Sequence, residues 1–317
     1  MRTVRFHDYG EPADVLHLEN TPVPDPDSGQ IRVAVLACGL APADWALCGG
    51  LFPGTLPRGI GCDVAGTVTA VGDDVTGTTV GDLVFGTTDW ANRTSAGAAD
   101  EAVMDRWFPV PDGLDPVEAA AMPMTVDTAA AHLHWLGADA AAAADTDEAA
   151  DRTILIHGAG STIGFAAVQM ALNHGLTVIA TAGDTYADQL RSFGAQVTDY
   201  GDDMVAHVAA LAGGPVDLVL DAAPVGGRLP ELIATAGGDP SHVMTVSDHE
   251  AAERLGARST FREDLTDRVE ALPDHARLAA DGRFRTPVAR TFPLEQWREA
   301  LELSQGGHAR GKLMLIP

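Results

Sequence analysis

Lysine is almost missing from this chain: Lys312 is the only one in 317 residues. Lys and Arg together number 20 against 45 Asp and Glu, a net charge of −25. Such a surface repels nucleic acid and anionic membranes, so neither is an expected partner. Two origins of the imbalance stay open, adaptation to high salt and a GC-rich genome that writes Ala, Asp and Arg. Cysteine is scarce as well. Cys38, Cys48 and Cys62 form no zinc-type pair, and three thiols cannot all join in disulfides. A reducing cytoplasm is the expected compartment. No apolar run approaches the roughly 18 residues of a membrane span. The first ten residues lack the basic-then-apolar order of a secretory leader. There is no G-x-S-x-G elbow, H-E-x-x-H pair or Walker loop, which disfavours hydrolase and kinase chemistry.

Hydrophobic residues make up 46% of the chain and glycine contributes 34 positions. That is enough apolar surface for two domains with many tight turns. Up to about Met124 the pattern is short strands divided by Gly and Pro, at 30–37, 63–71, 80–86 and 101–105. This predicts a small barrel or sandwich. A helix is predicted over 124–136, followed by an Ala/Asp-rich stretch at 137–151 that reads as a helix extension or a solvated loop. Strands then alternate with helices: strands at 153–157, 177–182, 196–198, 216–221 and 242–246, helices at 163–173, 186–193 and 204–211. Such alternation predicts a parallel, doubly wound sheet. Near the end, 294–304 has the spacing of an amphipathic helix. The last strand, 312–316, has no partner nearby and is expected to return to the N-terminal domain.

The strongest local signal is Ile154-Leu155-Ile156-His157-Gly158-Ala159-Gly160-Ser161-Thr162-Ile163-Gly164. It reads as a buried strand, a tight turn and a helix start. Free N–H groups and the positive end of a helix dipole would face a pyrophosphate there. Small residues let the backbone approach the ligand, and a late glycine lets helix and strand pack closely. Gly158 and Gly160 open the G-x-G pattern, but its third position is Ile163. Shifting by one gives Ala159, Ser161 and Gly164, with Ser161 where the backbone meets the phosphates. A purely structural strand–helix turn is the alternative, and the β-α series that follows favours dinucleotide binding. The second strand ends at Thr181-Ala182-Gly183, small and neutral, which leaves room for a 2′-phosphate. Asp184 follows at once, either as the N-cap of the next helix or as a ribose contact.

Several further segments occur in a set order: Ala41-Pro42-Ala43-Asp44-Trp45, Gly61-Cys62-Asp63-Val64-Ala65-Gly66, Val80-Gly81-Asp82-Leu83-Val84-Phe85-Gly86, Ala119-Ala120-Ala121-Met122-Pro123 and Gly307-His308-Ala309-Arg310-Gly311-Lys312. With the loop at 157–164 they span nearly the whole chain. The ordered set resembles the quinone-oxidoreductase branch of the medium-chain dehydrogenase/reductase superfamily. The resemblance implies an α/β fold: a GroES-like β-barrel catalytic domain over 1–124, completed by 287–317, around a doubly wound Rossmann domain at 125–286. It implies hydride transfer from a reduced nicotinamide to a small-molecule substrate, and a homodimer joined through Rossmann edge strands. Along the dinucleotide it implies Thr128, Ala159, Gly160, Ser161, Thr162, Ile163, Gly164, Thr181, Ala182, Gly183, Tyr200, Ala222 and Ala223, with Thr245 and Val246 near the nicotinamide. The small end at Gly183 favours NADP(H), with NAD(H) possible.

Zinc members of the superfamily place their catalytic ligands at positions matching Ala41, Cys62, Asp63 and Met124. Alanine cannot ligate and methionine is a poor zinc ligand, so no metal is expected. Related reductases often carry a tyrosine where this chain has Ala46, and aromatics where it has Ala99 and Ala102. An enone also needs a proton after the hydride. Water, a substrate group and the carboxyl of Asp44 are the candidates, Asp44 having a helix N-cap as its other reading. Trp45, Phe52, Cys62 and Trp90 are the candidate pocket residues, though scattered aromatics in a barrel are commonly core. The expected activity is zinc-independent reduction of a quinone or α,β-unsaturated carbonyl. A biosynthetic tailoring reductase with an altered pocket and a non-catalytic dinucleotide-binding regulator are the alternatives.

Overall fold

A computed structural model describes residues 1–89, 94, 96–139, 152–264, 270–307 and 309–317. Most of the Ala/Asp-rich stretch expected as a helix extension or loop lies outside them, as does Trp90. The chain divides into two compact units. Met1–Met124 and Leu272–Pro317 form the first, and Thr125–Ala271 forms the second.

The first unit holds β1 (Arg2–Phe6), β2 (Leu16–Asn20), β3 (Ile31–Leu40), β4 (Arg58–Gly59), β5 (Asp63–Val71), β6 (Leu83–Thr87), β7 (Glu101–Met104) and β8 (Arg106–Pro109). The second holds β9 (Thr153–His157), β10 (Thr177–Thr181), β11 (Gln196–Thr198), β12 (Leu218–Asp221), β13 (Val243–Thr245) and β14 (Arg258–Ser259). Two late strands, β15 (Val288–Pro293) and β16 (Lys312–Ile316), rejoin the first unit.

In the first unit one sheet runs β15-β16-β3-β5-β6-β8, with β7 added on β3, and a second sheet runs β2-β1-β4. The closing strand therefore finds its partner far back in the chain. β16 pairs antiparallel with β3, setting Leu313 against Leu40 and Leu315 against Cys38. Successive side chains of a strand point to opposite faces, and here Ile31, Val33 and Val35 are buried while Arg32 and Ala34 are only partly so.

These faces supply a core that includes Val4, Phe6, Leu16, Val64, Phe292, Trp297 and Leu315. The helix Leu272–Ala280 belongs to this unit. The sequence places it in the Rossmann segment, with an end at 286, and the structure differs there. Helical spacing says that a face is buried but not in which core it is buried.

The second unit is one parallel sheet in the order β11-β10-β9-β12-β13-β14. Counted from β9, that is the doubly wound order 3-2-1-4-5-6. Its central strands are apolar in continuous runs because both faces are covered. Ile154, Leu155 and Ile156 are buried, as are Val178 and Ile179 on one side and Leu218, Val219 and Leu220 on the other. The strand order reverses between β9 and β12, so their carboxyl ends open the crevice where such sheets bind ligands.

Candidate functional site

The turn after β9 is built around three glycines with different duties. Gly158 has a φ of +74°, and a Cβ there would lie 2.5 Å from the backbone nitrogen of Ala223. It thus allows the turn to pass close to the chain leaving β12. A Cβ on Gly164 would lie 2.5 Å from the carbonyl oxygen of Gly158 and 2.9 Å from Cα of Ala159. Here the missing side chain lets the helix Thr162–Asn173 seat directly on the turn. Gly160 is the exception. The nearest atom to its Cβ position is a ring carbon of Tyr186 at 3.9 Å, so protein packing does not demand glycine there.

Ser161 is the N-cap of that helix, and its Oγ accepts the N–H of Gly164 at 3.0 Å. Its hydroxyl proton remains available to a ligand. The first-turn N–H groups at Thr162 and Ile163 have no carbonyl one turn back to bond. Together with the dipole they form a positive rim suited to phosphate. Below the rim, the hydroxyl of Thr181 lies between the N–H of Gly158 at 3.0 Å and Nδ1 of His157 at 2.8 Å. Thr181 is fully buried, so its side chain braces the turn from inside. Burial pushes the His157 imidazole below its ordinary value, with the Arg228 charge acting in the same direction.

Along the rest of the crevice, Gly183 caps the helix Asp184–Phe193. Asp184 is the first helical residue and not the N-cap; it is exposed in the first turn, where an acidic group suits the dipole. The hydroxyl of Tyr200 stands 3.5 Å from where a Gly183 Cβ would be, and Tyr200 is more than half exposed. Ala182 and Ala222 are buried, and Ala223 is half-buried beside Gly158. Thr245 is buried and its hydroxyl donates to Asp221 at 2.9 Å, while Val246 is half-buried. Thr128 is half-buried, its carbonyl accepting from Nδ1 of His132 at 2.7 Å.

The first unit gathers its own buried polar cluster. Ala41 is the N-cap of the helix Pro42–Cys48, and Asp44 sits three residues into it. The N-cap alternative for Asp44 is therefore replaced by a related device. Its Oδ2 reaches back to the N–H of Ala41 at 2.7 Å, and its Oδ1 accepts the N–H of Gly61 at 2.6 Å. Burial lifts this carboxyl to about 6, against the pull of those two bonds. Both oxygens are engaged and the residue is 1% exposed, an arrangement that fixes the loop carrying Cys62 and Asp63. Asp63 accepts the N–H of Met124 on Oδ1 at 2.9 Å and the Lys312 ammonium on Oδ2 at 2.6 Å. The only lysine of the chain is thus buried, tied to a carboxylate 249 positions away.

This cluster occupies the positions that match the zinc ligands of the superfamily. Of the four matching positions, Ala41 has no donor atom, Met124 offers its backbone N–H, and Asp63 already faces an ammonium. Burial, then the Asp63 charge, pushes the Cys62 thiol well up. Among the described residues no three His, Cys, Asp or Glu side chains form a metal-holding group. The four positions therefore do not repeat a zinc ligand set, since Ala41 offers no ligand and Met124 a poor one.

The pocket candidates scatter. Trp45 packs in the core of the first unit with its indole N–H on Ser304 at 2.8 Å. Cys62 is buried, and Phe52 is 46% exposed with a φ of +52°. Trp90 lies outside the described residues. Lys312 and Asp221 organise these sites, and the sequence marked each as a motif member without indicating its partner. A lone lysine in an otherwise apolar closing strand was the signal for the first, and the Leu220-Asp221 strand end, one of the segments shared with the family, was the signal for the second. Among the described residues, no helix is long and apolar enough to cross a membrane.

Comparison with known proteins agrees with this layout. Residues 27–110 match the model of the alcohol dehydrogenase GroES-like domain, and residues 193–315 match that of the zinc-binding dehydrogenases. A quinone oxidoreductase of Rattus norvegicus is 34% identical over 195 residues, 60% of this chain and 55% of that protein. A polyketide synthase of Streptomyces halstedii is 30% identical over 304 residues, 91% of this chain. The chain spans 5% of the synthase's length and about half of the rat protein's. The Escherichia coli quinone oxidoreductase complexed with NADPH superposes with a TM-score of 0.78 at 25% identity, covering all of both chains.

Proposed function

The chain belongs to the medium-chain dehydrogenase/reductase superfamily, on its quinone oxidoreductase-like side, and from that premise we propose zinc-independent, NADPH-dependent reduction of a quinone or an α,β-unsaturated carbonyl. One observation carries the reading. The turn after β9 is closed tightly by Gly158 and Gly164 yet left open above Gly160, beside a helix N-terminus. That is a phosphate cradle with space for the phosphate.

In this reading the rim from Gly160 to Gly164 holds the pyrophosphate. Gly183 and Tyr200 border the adenosine ribose, and the small Gly183 leaves space for a 2′-phosphate, whereas the exposed Asp184 opposes it by charge. The NADPH bound by the Escherichia coli protein supports the same choice. A dinucleotide held on this rim would supply a hydride to an electron-poor carbon of the acceptor. The neighbouring carbon then needs a proton. Asp44 is buried with both oxygens held by backbone N–H groups, which leaves water or a substrate group as the proton source in this reading. The reading includes a homodimer joined through Rossmann edge strands, and light scattering checks the dimer.

The test is NADPH and NADH oxidation across a panel of quinones and enones, with titration of both cofactors and metal analysis of the same sample. Turnover with NADPH, unchanged by chelators and without stoichiometric zinc, is the expected result. No oxidation of either cofactor with any acceptor overturns the enzyme reading and leaves a dinucleotide-binding regulator. A second reading, a biosynthetic tailoring reductase, draws on the similarity of 91% of the chain to part of a polyketide synthase. The small residues Ala46, Ala99 and Ala102, where related reductases often carry aromatics, fit it as well. Turnover confined to a pathway intermediate, with simple quinones inert, selects it.

A further inference from the structure

At the carboxyl ends of β12 and β13 lies a closed hydrogen-bond system that the proposed chemistry does not yet use. Asp221 is buried, 2% exposed, at the end of β12. Its Oδ2 accepts the Thr245 hydroxyl at 2.9 Å, and its Oδ1 accepts the N–H of Ala223 at 3.2 Å. The Thr245 oxygen in turn accepts the N–H of Asp248 at 3.1 Å and that of Ser247 at 3.3 Å. A threonine hydroxyl has one proton and two lone pairs, and all three are committed here. Two ties then cross between the loops. Ser247 Oγ donates to the carbonyl of Ala223 at 2.7 Å, and Asp248 accepts the N–H of Gly227 at 2.7 Å. A Cβ on Gly226 would fall 2.4 Å from the Asp248 carboxylate, so the second tie is seated against bare backbone.

The count of donors and acceptors leaves little freedom. Asp221 accepts on both oxygens, which a carboxyl group can do and an amide, with one oxygen, cannot. Thr245 must both donate and accept, which valine cannot do and serine can. Of the loops bound in this way, 222–227 passes against Gly158 at Ala222 and Ala223, at the reversal of strand order, and 246–248 is tied to it. The adenosine border at Gly183 is on the other side, at the end of β10.

We propose that Asp221 and Thr245 are positioning residues for the nicotinamide half of the dinucleotide, acting by holding the loops after β12 and β13 in register with each other. The inference rests on the dinucleotide reading given above. Neither side chain needs to touch the ligand. Thr245, buried and fully bonded, works through the backbone of Ala223 and Val246.

The test separates the two halves of the cofactor. Affinities of Thr245→Val, Thr245→Ser and Asp221→Asn are measured for NADPH and for 2′-phospho-ADP-ribose, which lacks only the nicotinamide. NADH and ADP-ribose are run as a parallel pair, and kcat and KM for NADPH are taken with an acceptor that the parent reduces. Thr245→Val should weaken NADPH by about tenfold, the usual consequence of orphaning a buried polar group. The fragment should change by less than about twofold, since its contacts lie toward β10 and the turn. Thr245→Ser should restore the parent's ratio, and Asp221→Asn should follow Thr245→Val. Equal losses for cofactor and fragment overturn the proposal, because they make the pair a general brace of the unit. So does an unchanged ratio in Thr245→Val. If the parent binds no cofactor and no fragment, it is the dinucleotide reading that fails, a result distinct from either.

Discussion

Replacing Gly164 by valine tests the physical basis of the proposed function most directly. A Cβ at this position would stand 2.5 Å from the Gly158 oxygen, 2.9 Å from Cα of Ala159 and 3.0 Å from the Gly158 carbonyl carbon. All three are backbone atoms, so no side chain can swing aside. Ordinary carbon contacts begin near 3.5 Å, so the helix must retreat from the turn by roughly 1 Å. The N–H groups of the phosphate rim retreat with it. Overpacking of this kind costs on the order of 2 kcal/mol, and the two methyl groups of valine add to what the Cβ alone does. Carried into binding, about 2 kcal/mol is a loss of about thirtyfold in affinity for NADPH. Fluorescence titration measures it, with thermal unfolding in parallel because the same strain loosens the second unit. Gly160→Ala separates the two effects. Its Cβ has open space, with nothing nearer than 3.9 Å, so stability should hold while the methyl group enters the ligand's path and affinity falls. Ser161→Gly removes the N-cap bond to Gly164 at a cost of only a few tenths of a kcal/mol. A further loss of about 1 kcal/mol would identify the hydroxyl as a phosphate donor. If Gly164→Val and Gly160→Ala both bind NADPH and NADH as the parent does, the turn is not the cofactor site. The reductase reading then loses its main support.

Three other outcomes follow from the buried charges and the acidic surface. Lys312→Met strands the Asp63 carboxylate in the core and should destabilise the chain by about 3–5 kcal/mol in denaturant unfolding. The double variant with Asp63→Asn should recover much of that loss, and simple additivity of the two changes refutes the pairing argument. Burial raises Asp44 to about 6, so the folded chain holds this proton more tightly than the unfolded one. Its contribution to stability is complete below about pH 4 and is lost as pH rises through about 6. The stability of the parent relative to Asp44→Asn should therefore fall by roughly 3 kcal/mol between about pH 4 and 7; a flat difference removes the case for a buried, protonatable Asp44. With a net charge of −25 and its single lysine buried, the chain should gain thermal stability when KCl is raised from about 0.1 to 1 M, as the screening length falls from about 10 to 3 Å. A melting temperature indifferent to salt would favour genome composition as the origin of the acidic excess.

Much of the second unit was legible because its signals are local. Alternating strand and helix periods, the glycine punctuation and the strand–turn–helix around Gly158 and Gly164 each operate within a window of a dozen or so residues. Steric requirements on φ and on Cβ act at that range. The return of β16 was also inferable, since a strand without a neighbour in sequence must find one elsewhere. The ordered motifs added the identity of the family and the residues expected along the dinucleotide, though not the hydrogen bonds that tie those residues together.

Tertiary structure decided the rest. Asp44 looked like a cap for its own helix, and the chain made Ala41 the cap while sending the other Asp44 oxygen to Gly61. Thr181 stood at the expected strand end, yet its hydroxyl turned inward to Gly158 and His157. Asp63 could have been read as a metal ligand until Lys312 was brought to it from the far end of the chain. Asp221 and Thr245 carried no mark of their partnership, and the helix Leu272–Ala280 carried no mark of its core. In each case the deciding quantity is which donor meets which acceptor, or which face meets which core, after distant segments pack. Sequence determines the inventory of donors, acceptors and apolar faces, and with it the local turns and periods. The pairing of that inventory across long separations exists only once burial has removed water as the alternative partner.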